Sequence, residues 1–171
     1  RLHQQIASDI NKNNYDLAFV HPSKYTQAPF ILRFLKIQKV YYCEEILRIA
    51  YESQFELTNK IFLHKRIYDK LTRFVRKKID KANILNADLV LANSKFTKKN
   101  IKNAYGVDCK VSYLGVDTDF FKPEKSKKDI DVLYIGAKDQ ADGYNLLKNA
   151  LSLIPEKLSV KYHVTGEEWI S

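Results

Sequence analysis

The stretch ADLVLANSKFTKKNIKNAYGVDCKVSYLGVDTDFFKP, residues 87–123, decides the fold. Its "DLVLAN" is a short apolar run bounded by polar residues, which reads as a buried strand. Ser94 follows, and its hydroxyl can accept a bond from an orphan amide in a first helical turn, so "SKFTKKNIKNAYG" reads as a capped helix. Gly106, after Tyr105, is the matching stop. "KVSYL" is a second strand. Gly115 permits a turn at its carboxyl end, and Asp117 can bond its own downstream amides to fix that turn. Phe120 and Phe121 are too large to leave in water and are expected to dock against a domain surface or between domains. Pro123 stiffens the exit.

The same alternation extends both ways. "LHQQIASDI" carries a helical stripe at Leu2, Ile6 and Ile10. "DLAFVH" and "KVYYC" read as strands, with "APFILRFL" a short helix between them. After the quoted stretch come "DVLYIG" (strand), "YNLLKNALSLI" (helix) and "LSVKYHVTG" (strand). Strands alternating with helices predict an α/β fold with Rossmann-like, doubly wound parallel sheets. The strands are near-continuous apolar runs, as expected when helices cover both faces. The polar run "KPEKSKKDID" marks a boundary. The expected organisation is one domain over 1–122, a linker over 123–130 and a second domain from 131 to 171.

A long amphipathic helix is predicted from Thr58 to Asn83. Nine Lys and Arg side chains stand there against Asp69 and Asp80. Ile61, Ile67, Leu71, Phe74 and Val75 form its apolar side, expected to face the sheet and leave the charge outward. A basic amphipathic helix can also lie on anionic lipid.

The 171-residue chain has a net charge of +9, which favours anionic partners without choosing among them. Cys43 and Cys109 fit no metal-ligand spacing, and a reduced cytoplasmic setting is the simpler reading. No apolar run is long enough to span a bilayer, and Arg1-Leu2-His3 does not open a signal peptide. The absent initiator methionine leads us to expect a piece of a longer protein. There is no Gly-x-Gly-x-x-Gly after a strand, no Walker-type loop and no Cys/His cluster, so hydride transfer, phosphate-loop hydrolysis and a metal site are disfavoured.

The quoted stretch resembles the end of the N-terminal domain of glycosyltransferase family 4, retaining enzymes of GT-B architecture. Ala87, Asp88, Ser94, Tyr105, Gly106, Gly115, Val116, Asp117, Phe121 and Pro123 match in order. "YYCEEILRIAYE" resembles a Tyr-Tyr-Cys-His-Glu-Pro-x-Arg-x-x-Tyr-Glu segment of one subgroup through Tyr41, Tyr42, Cys43, Glu45, Arg48, Tyr51 and Glu52. "VLYIGAKDQADGYNLLKNAL" resembles the first strand, loop and helix of the C-terminal domain. The resemblance implies two Rossmann-like domains facing a cleft, with the acceptor on the first and a UDP- or GDP-linked sugar on the second. It implies sugar transfer with retention, without a metal or further cofactor, to a glycan or lipid-linked acceptor in surface polysaccharide synthesis. Together with the basic helix it leads us to expect a cytoplasmic protein, peripheral at the inner membrane face. The departing nucleoside diphosphate gains charge, so cations and helix N-terminal amides must be aimed at it.

Carried onto this chain, the resemblance makes Glu44 and Glu45 catalytic candidates, and His21 and Arg48 acceptor-binding ones. Ser94, Gly115, Asp117, Gly136 and Lys138 become candidates for the donor and its phosphates. Glu44 replaces the subgroup's histidine, so a carboxylate must hydrogen-bond hydroxyls or accept a proton there. Ile46 replaces its proline. The family's phosphate-binding Arg and Lys are absent after Gly136; Lys138 can substitute, whereas Asp142 would repel a diphosphate. The family's N-terminal glycine-rich loop and its later paired glutamates are also missing, so this piece alone is expected to be inactive. Plainer readings exist for several residues. Arg48 can pair with Glu44, Glu45 or Glu52, His21 can be structural, and Ser94 is a cap first. The competing reading of the whole is a non-catalytic basic α/β module, either a degenerate glycosyltransferase or a binder of nucleic acid or a membrane surface. It explains the charge but not the ordered motifs, and no specific nucleic acid is expected.

Overall fold

The computed structural model describes residues 1–57, 61–123, 130–138, 142–155 and 160–165. It divides into two compact units, Arg1–Val116 and Asp117–Ser171. Of the linker expected at 123–130, residues 124–129 lie outside the described residues, as do Thr58–Lys60 of the predicted long helix.

The first unit holds four strands: β1 (Leu17–Val20), β2 (Gln38–Cys43), β3 (Leu89–Ala92) and β4 (Lys110–Val111). They form one sheet in the order β1-β2-β3-β4, every pair parallel. Its helices are α1 (Leu2–Lys12), the single turn α2 (Arg48–Tyr51), α3 (Leu63–Ile84) and α4 (Lys95–Tyr105). "APFILRFL" gives only a 3-10 turn, Phe30–Arg33, and "KVSYL" pairs through two residues alone. The protein is therefore α/β, with a parallel four-stranded sheet flanked by helices, as in Rossmann-like folds.

Alternation along the strands sorts the sheet into two faces. Val20, Tyr41, Cys43, Val90 and Ala92 join Ala7 of α1, Leu32, Ile84 of α3, and Ile101 and Tyr105 of α4 in one core. The opposite set includes Leu17 and Phe19, which are exposed. Both faces were expected to be covered, but the helices that reach this core do so on one side. The strand order gives the reason. Each crossover steps to the next neighbour in the same direction, and right-handed crossovers that never reverse stay on one face. The second helical layer of a doubly wound sheet is not formed by the described residues.

The long helix differs from its prediction in start and in orientation. It begins at Leu63, and Phe62 at its N-cap offers no side-chain acceptor. Its buried residues are Arg73, Asp80, Asn83 and Ile84. Ile61, Ile67, Leu71, Phe74 and Val75, expected to face the sheet, are all exposed. Burying polar groups is tolerated only when they find partners; Arg73, Asp80 and Asn83 do, whereas Nε of the half-buried Arg66 has none among the described residues. Arg73 donates from Nε to Asp69 at 2.8 Å and from its terminal nitrogens to the carbonyls of Ile49 and Phe55. Asp80 accepts from the Ala28 amide at 2.8 Å and from the Tyr105 hydroxyl at 2.6 Å. Asn83 donates to the Ala28 carbonyl at 2.7 Å. The helix is thus held by polar bonds to loops that surround it.

The second unit contains β5 (Val132–Ile135), α5 (Tyr144–Ser152) and β6 (Tyr162–Thr165). β5 and β6 pair in parallel, a strand–helix–strand unit. Asp131 secures its start: its carboxylate accepts from the Lys161 amide at 2.8 Å.

Candidate functional site

A parallel sheet delivers the carboxyl ends of its strands to one edge, where ligands of open α/β folds bind. In the first unit β1 delivers His21 there, β2 delivers Glu44 and Glu45, and β3 delivers Asn93 and Ser94. His21 Nδ1 lies 3.6 Å from Glu44 Oε1, an ion pair when the imidazole is protonated, with both side chains more than half exposed. Phe19, His21 and Tyr42 form an aromatic cluster beside it, with ring centroids 5.2, 5.9 and 6.0 Å apart. These three share the sheet face that carries no core. The register Val20↔Tyr41 sets His21 beside Tyr42. Glu45 Oε1 accepts from Gln27 Nε2 at 3.2 Å.

The start of α4 closes the edge. Ser94 is the N-cap, its hydroxyl accepting from the Thr97 amide at 3.0 Å. Thr97 Oγ1 donates to Asn93 Oδ1 at 2.7 Å and also lies 3.3 Å from the Glu44 carbonyl. The exit of β2 and the first turn of α4 are thereby tied together. The arrangement sets an imidazole beside a carboxylate at the sheet edge, bordered by hydroxyl and amide groups.

Arg48 is not part of this grouping. Its Nε donates to both Glu52 oxygens at 3.2 Å, and its guanidinium lies 5.3 Å from the Phe55 ring centroid. It takes the ion pair along its own short helix, one of the plainer alternatives weighed above.

Gly115 and Asp117 lie on either side of the division between the two units. Gly115 has no positive φ; the left-handed glycines are Gly106, Gly136 and Gly143. The turn after β4 therefore does not need the freedom expected of Gly115. Asp117 does fix a turn, its Oδ1 accepting from the amides of Asp119 at 2.9 Å and Phe120 at 3.1 Å. Phe120 and Phe121, expected to dock, are exposed and pack edge to face on each other, with centroids 5.0 Å apart.

In the second unit Gly136 turns with φ +153, and a Cβ there would meet Asp142 Oδ2 at 3.1 Å. Asp142 Oδ2 accepts from the Ala137 amide at 2.7 Å. Tyr134 donates its hydroxyl to the Ala137 carbonyl at 2.9 Å. Asp142 is thus a loop-closing acceptor occupying an amide of the loop assigned to phosphate. Lys138 is exposed on the same loop, whose residues 139–141 lie outside the described residues.

The pairing of residues beneath the edge was not visible in the sequence. Burial pushes the Asp80 carboxyl up, with the bonds from Tyr105 and Ala28 pulling it back down. Burial likewise raises Tyr105 and Tyr41, and lifts the Cys43 thiol to about 12. Tyr105 also accepts the Leu47 amide at 3.1 Å, so Ala28, Asp80, Tyr105 and Leu47 form one buried chain of bonds. Cys43 and Cys109 are both buried free thiols. Among the described residues no three His, Cys, Asp or Glu side chains are grouped to hold a metal ion, and no helix is long and apolar enough to cross a membrane.

The class the fold and edge define is an α/β protein with a candidate site at the carboxyl end of a parallel sheet. Compared with known protein families, curated proteins and solved structures, the chain matches none.

Proposed function

We propose that the chain is part of a retaining glycosyltransferase of the family 4, GT-B type, with doubly wound domains in the whole protein. It would move a sugar from a UDP- or GDP-linked donor to a glycan or lipid-linked acceptor without a metal. One observation carries the reading: His21 and Glu44, from neighbouring parallel strands, meet at the sheet edge where such substrates bind. In this reading His21 and Glu44 contact acceptor hydroxyls and shuttle a proton. Glu45, held by Gln27, orients the sugar. Ser94 keeps the α4 N-terminus in place, and Gly136 and Lys138 face the diphosphate.

The test uses the full-length gene product. A nucleotide-sugar at about a hundred times its Kd should stabilise the fold by about 2.7 kcal/mol and raise Tm on the order of 5–10 °C. Glu44→Gln should lower transfer to a lipid-linked or polysaccharide acceptor by about 10²-fold or more while preserving Tm. If no UDP- or GDP-sugar moves Tm and no sugar is transferred, the reading falls.

A second reading, a degenerate member that keeps the fold without transfer, is favoured by one contact: Asp142 occupies the Ala137 amide that a diphosphate would need. Under it, Asp142→Ala would leave nucleotide-sugar binding absent. Under the first reading the same change would strengthen it.

A further inference from the structure

Helix α3 turns its polar side inward and leaves an apolar stripe outside. Leu63, Ile67, Leu71 and Phe74 are 68, 59, 60 and 57% exposed. At 100° per residue they fall within a sector of about 80° and run about 17 Å along the helix. Lys70, Lys78 and Lys81 project from the same side and border the stripe, and all three are exposed. Lys78 Nζ lies 5.5 Å from the centroid of the Phe74 ring. The two carboxylates of α3 are turned away. Asp69 is bound by Arg73 at 2.8 Å, and Asp80 is fully buried. The exposed side of this helix therefore joins an apolar ridge to cations, with no anion among them.

We infer that α3 docks on an anionic lipid surface, the Leu63–Phe74 stripe entering the headgroup boundary and the lysines meeting lipid phosphates. Three features select this occupant. The stripe runs along one side of the helix, so the helix can lie flat with its apolar side at an interface. Its border is lysine, whose long apolar stem lets the ammonium reach the headgroups while the stem stays with the acyl chains. A second copy of this chain is disfavoured, because a two-fold contact on the stripe would bring the lysines of both copies to one interface with no carboxylate of either α3 to offset them. An acidic protein would satisfy the charge but gives no reason for the ridge. The inference stands apart from glycosyl transfer and rests on no residue of the candidate site.

The experiment is co-sedimentation of the whole chain at physiological salt with phosphatidylcholine vesicles, with and without a minor fraction of phosphatidylserine. The expected result is at least tenfold stronger partitioning onto the anionic vesicles. Leu71→Ser with Phe74→Ser should reduce it about tenfold, and Lys70→Gln with Lys78→Gln and Lys81→Gln should abolish the preference for phosphatidylserine. Both variants alter exposed side chains, and an unchanged Tm and circular dichroism spectrum will establish that they fold. Equal recovery on both vesicle types overturns the inference. So does anionic binding that survives loss of the apolar pair, which would be adsorption by net charge alone. A dimer in solution that dissociates on Leu71→Ser also overturns it, since the stripe would then be a contact between copies. Tight capture of a soluble acidic polypeptide by the wild-type chain, in place of vesicle binding, would do the same.

Discussion

Helices α3 and α4 are both amphipathic and both lysine-rich, and both reach the same core, α3 through Ile84 and α4 through Ile101 and Tyr105. Along the rest of their length they turn opposite sides inward. α4 buries Thr97, Ile101 and Tyr105, each four residues after the last, and sends Lys95, Lys99 and Lys102 into water. α3 buries Arg73, Asp80 and Asn83 and sends Leu63, Ile67, Leu71 and Phe74 into water. The periodicity of the two is the same in kind. The difference lies in what surrounds them. α4 meets β3 and Cys109 through Ile101 in an apolar core, with polar bonds only at its two ends, from Thr97 to Asn93 and from Tyr105 to Asp80. α3 meets the loops around residues 28 and 49–55, whose backbone amides and carbonyls require polar partners. A helix placed against unpaired backbone is stabilised by its polar side.

The comparison can be broken most directly at Asp80. Asp80→Ala strands the Ala28 amide and the Tyr105 hydroxyl in the interior. It should cost about 3–5 kcal/mol, read as a fall in the urea midpoint. A cost under about 1 kcal/mol would mean that α3 is not held by its polar side.

Ile101→Ala on α4 is the apolar counterpart and should cost about 2–4 kcal/mol through the cavity it leaves. Its control is Leu71→Ala, the matching apolar truncation on α3, which should change stability by no more than about 0.5 kcal/mol. Similar costs at the two positions would contradict the opposite orientations.

pH probes the core between these helices. Burial, the largest cause, lifts Cys43 from the ordinary 9.0 to about 12. The folded value lies above the unfolded one, so the thiol's contribution is complete below about pH 9 and is lost as pH rises through 12. At about pH 10 the loss should be on the order of 1 kcal/mol. Cys43→Ala should flatten stability against pH over that window; an unchanged slope would remove Cys43 from the buried core. The smallest cap-level effect is Ser94→Ala, at about 1 kcal/mol through the lost bond to the Thr97 amide. Guanidinium denaturation with a precision of a few tenths would detect it.

Much of the fold was legible. "DLVLAN", "KVYYC" and "DLAFVH" are strands because short β-branched and aromatic runs suit a half-buried pleat. Ser94 and Gly106 mark the ends of α4 because each solves a local problem, an orphan amide in one case and a left-handed residue in the other. Asp117 makes its turn for the same kind of reason. The candidate edge was half legible. His21 and Glu44 each end a strand, which the sequence marks, but their meeting depends on the register Val20↔Tyr41, set by pairing across distant segments. The tie from Thr97 to the Glu44 carbonyl and that from Gln27 to Glu45 escaped notice because the partners are remote in the chain. The intra-helix pairing of Arg48 with Glu52 is a local i,i+4 geometry, and local competition is what withdrew Arg48 from the edge.

By itself, then, the amino-acid order determined most of the strands and helices, the caps of α4 and the parallel sense of the sheet, since propensity and orphan groups act within a few residues and strands joined by helices pair in parallel. Tertiary structure alone decided which side of α3 faces in, that the helices meeting the core do so on one side of the sheet, and that Asp142 closes its loop. Those outcomes depend on which buried donors and acceptors are brought together from far apart, and the free energy of satisfying them exceeds the apolar burial that periodicity measures.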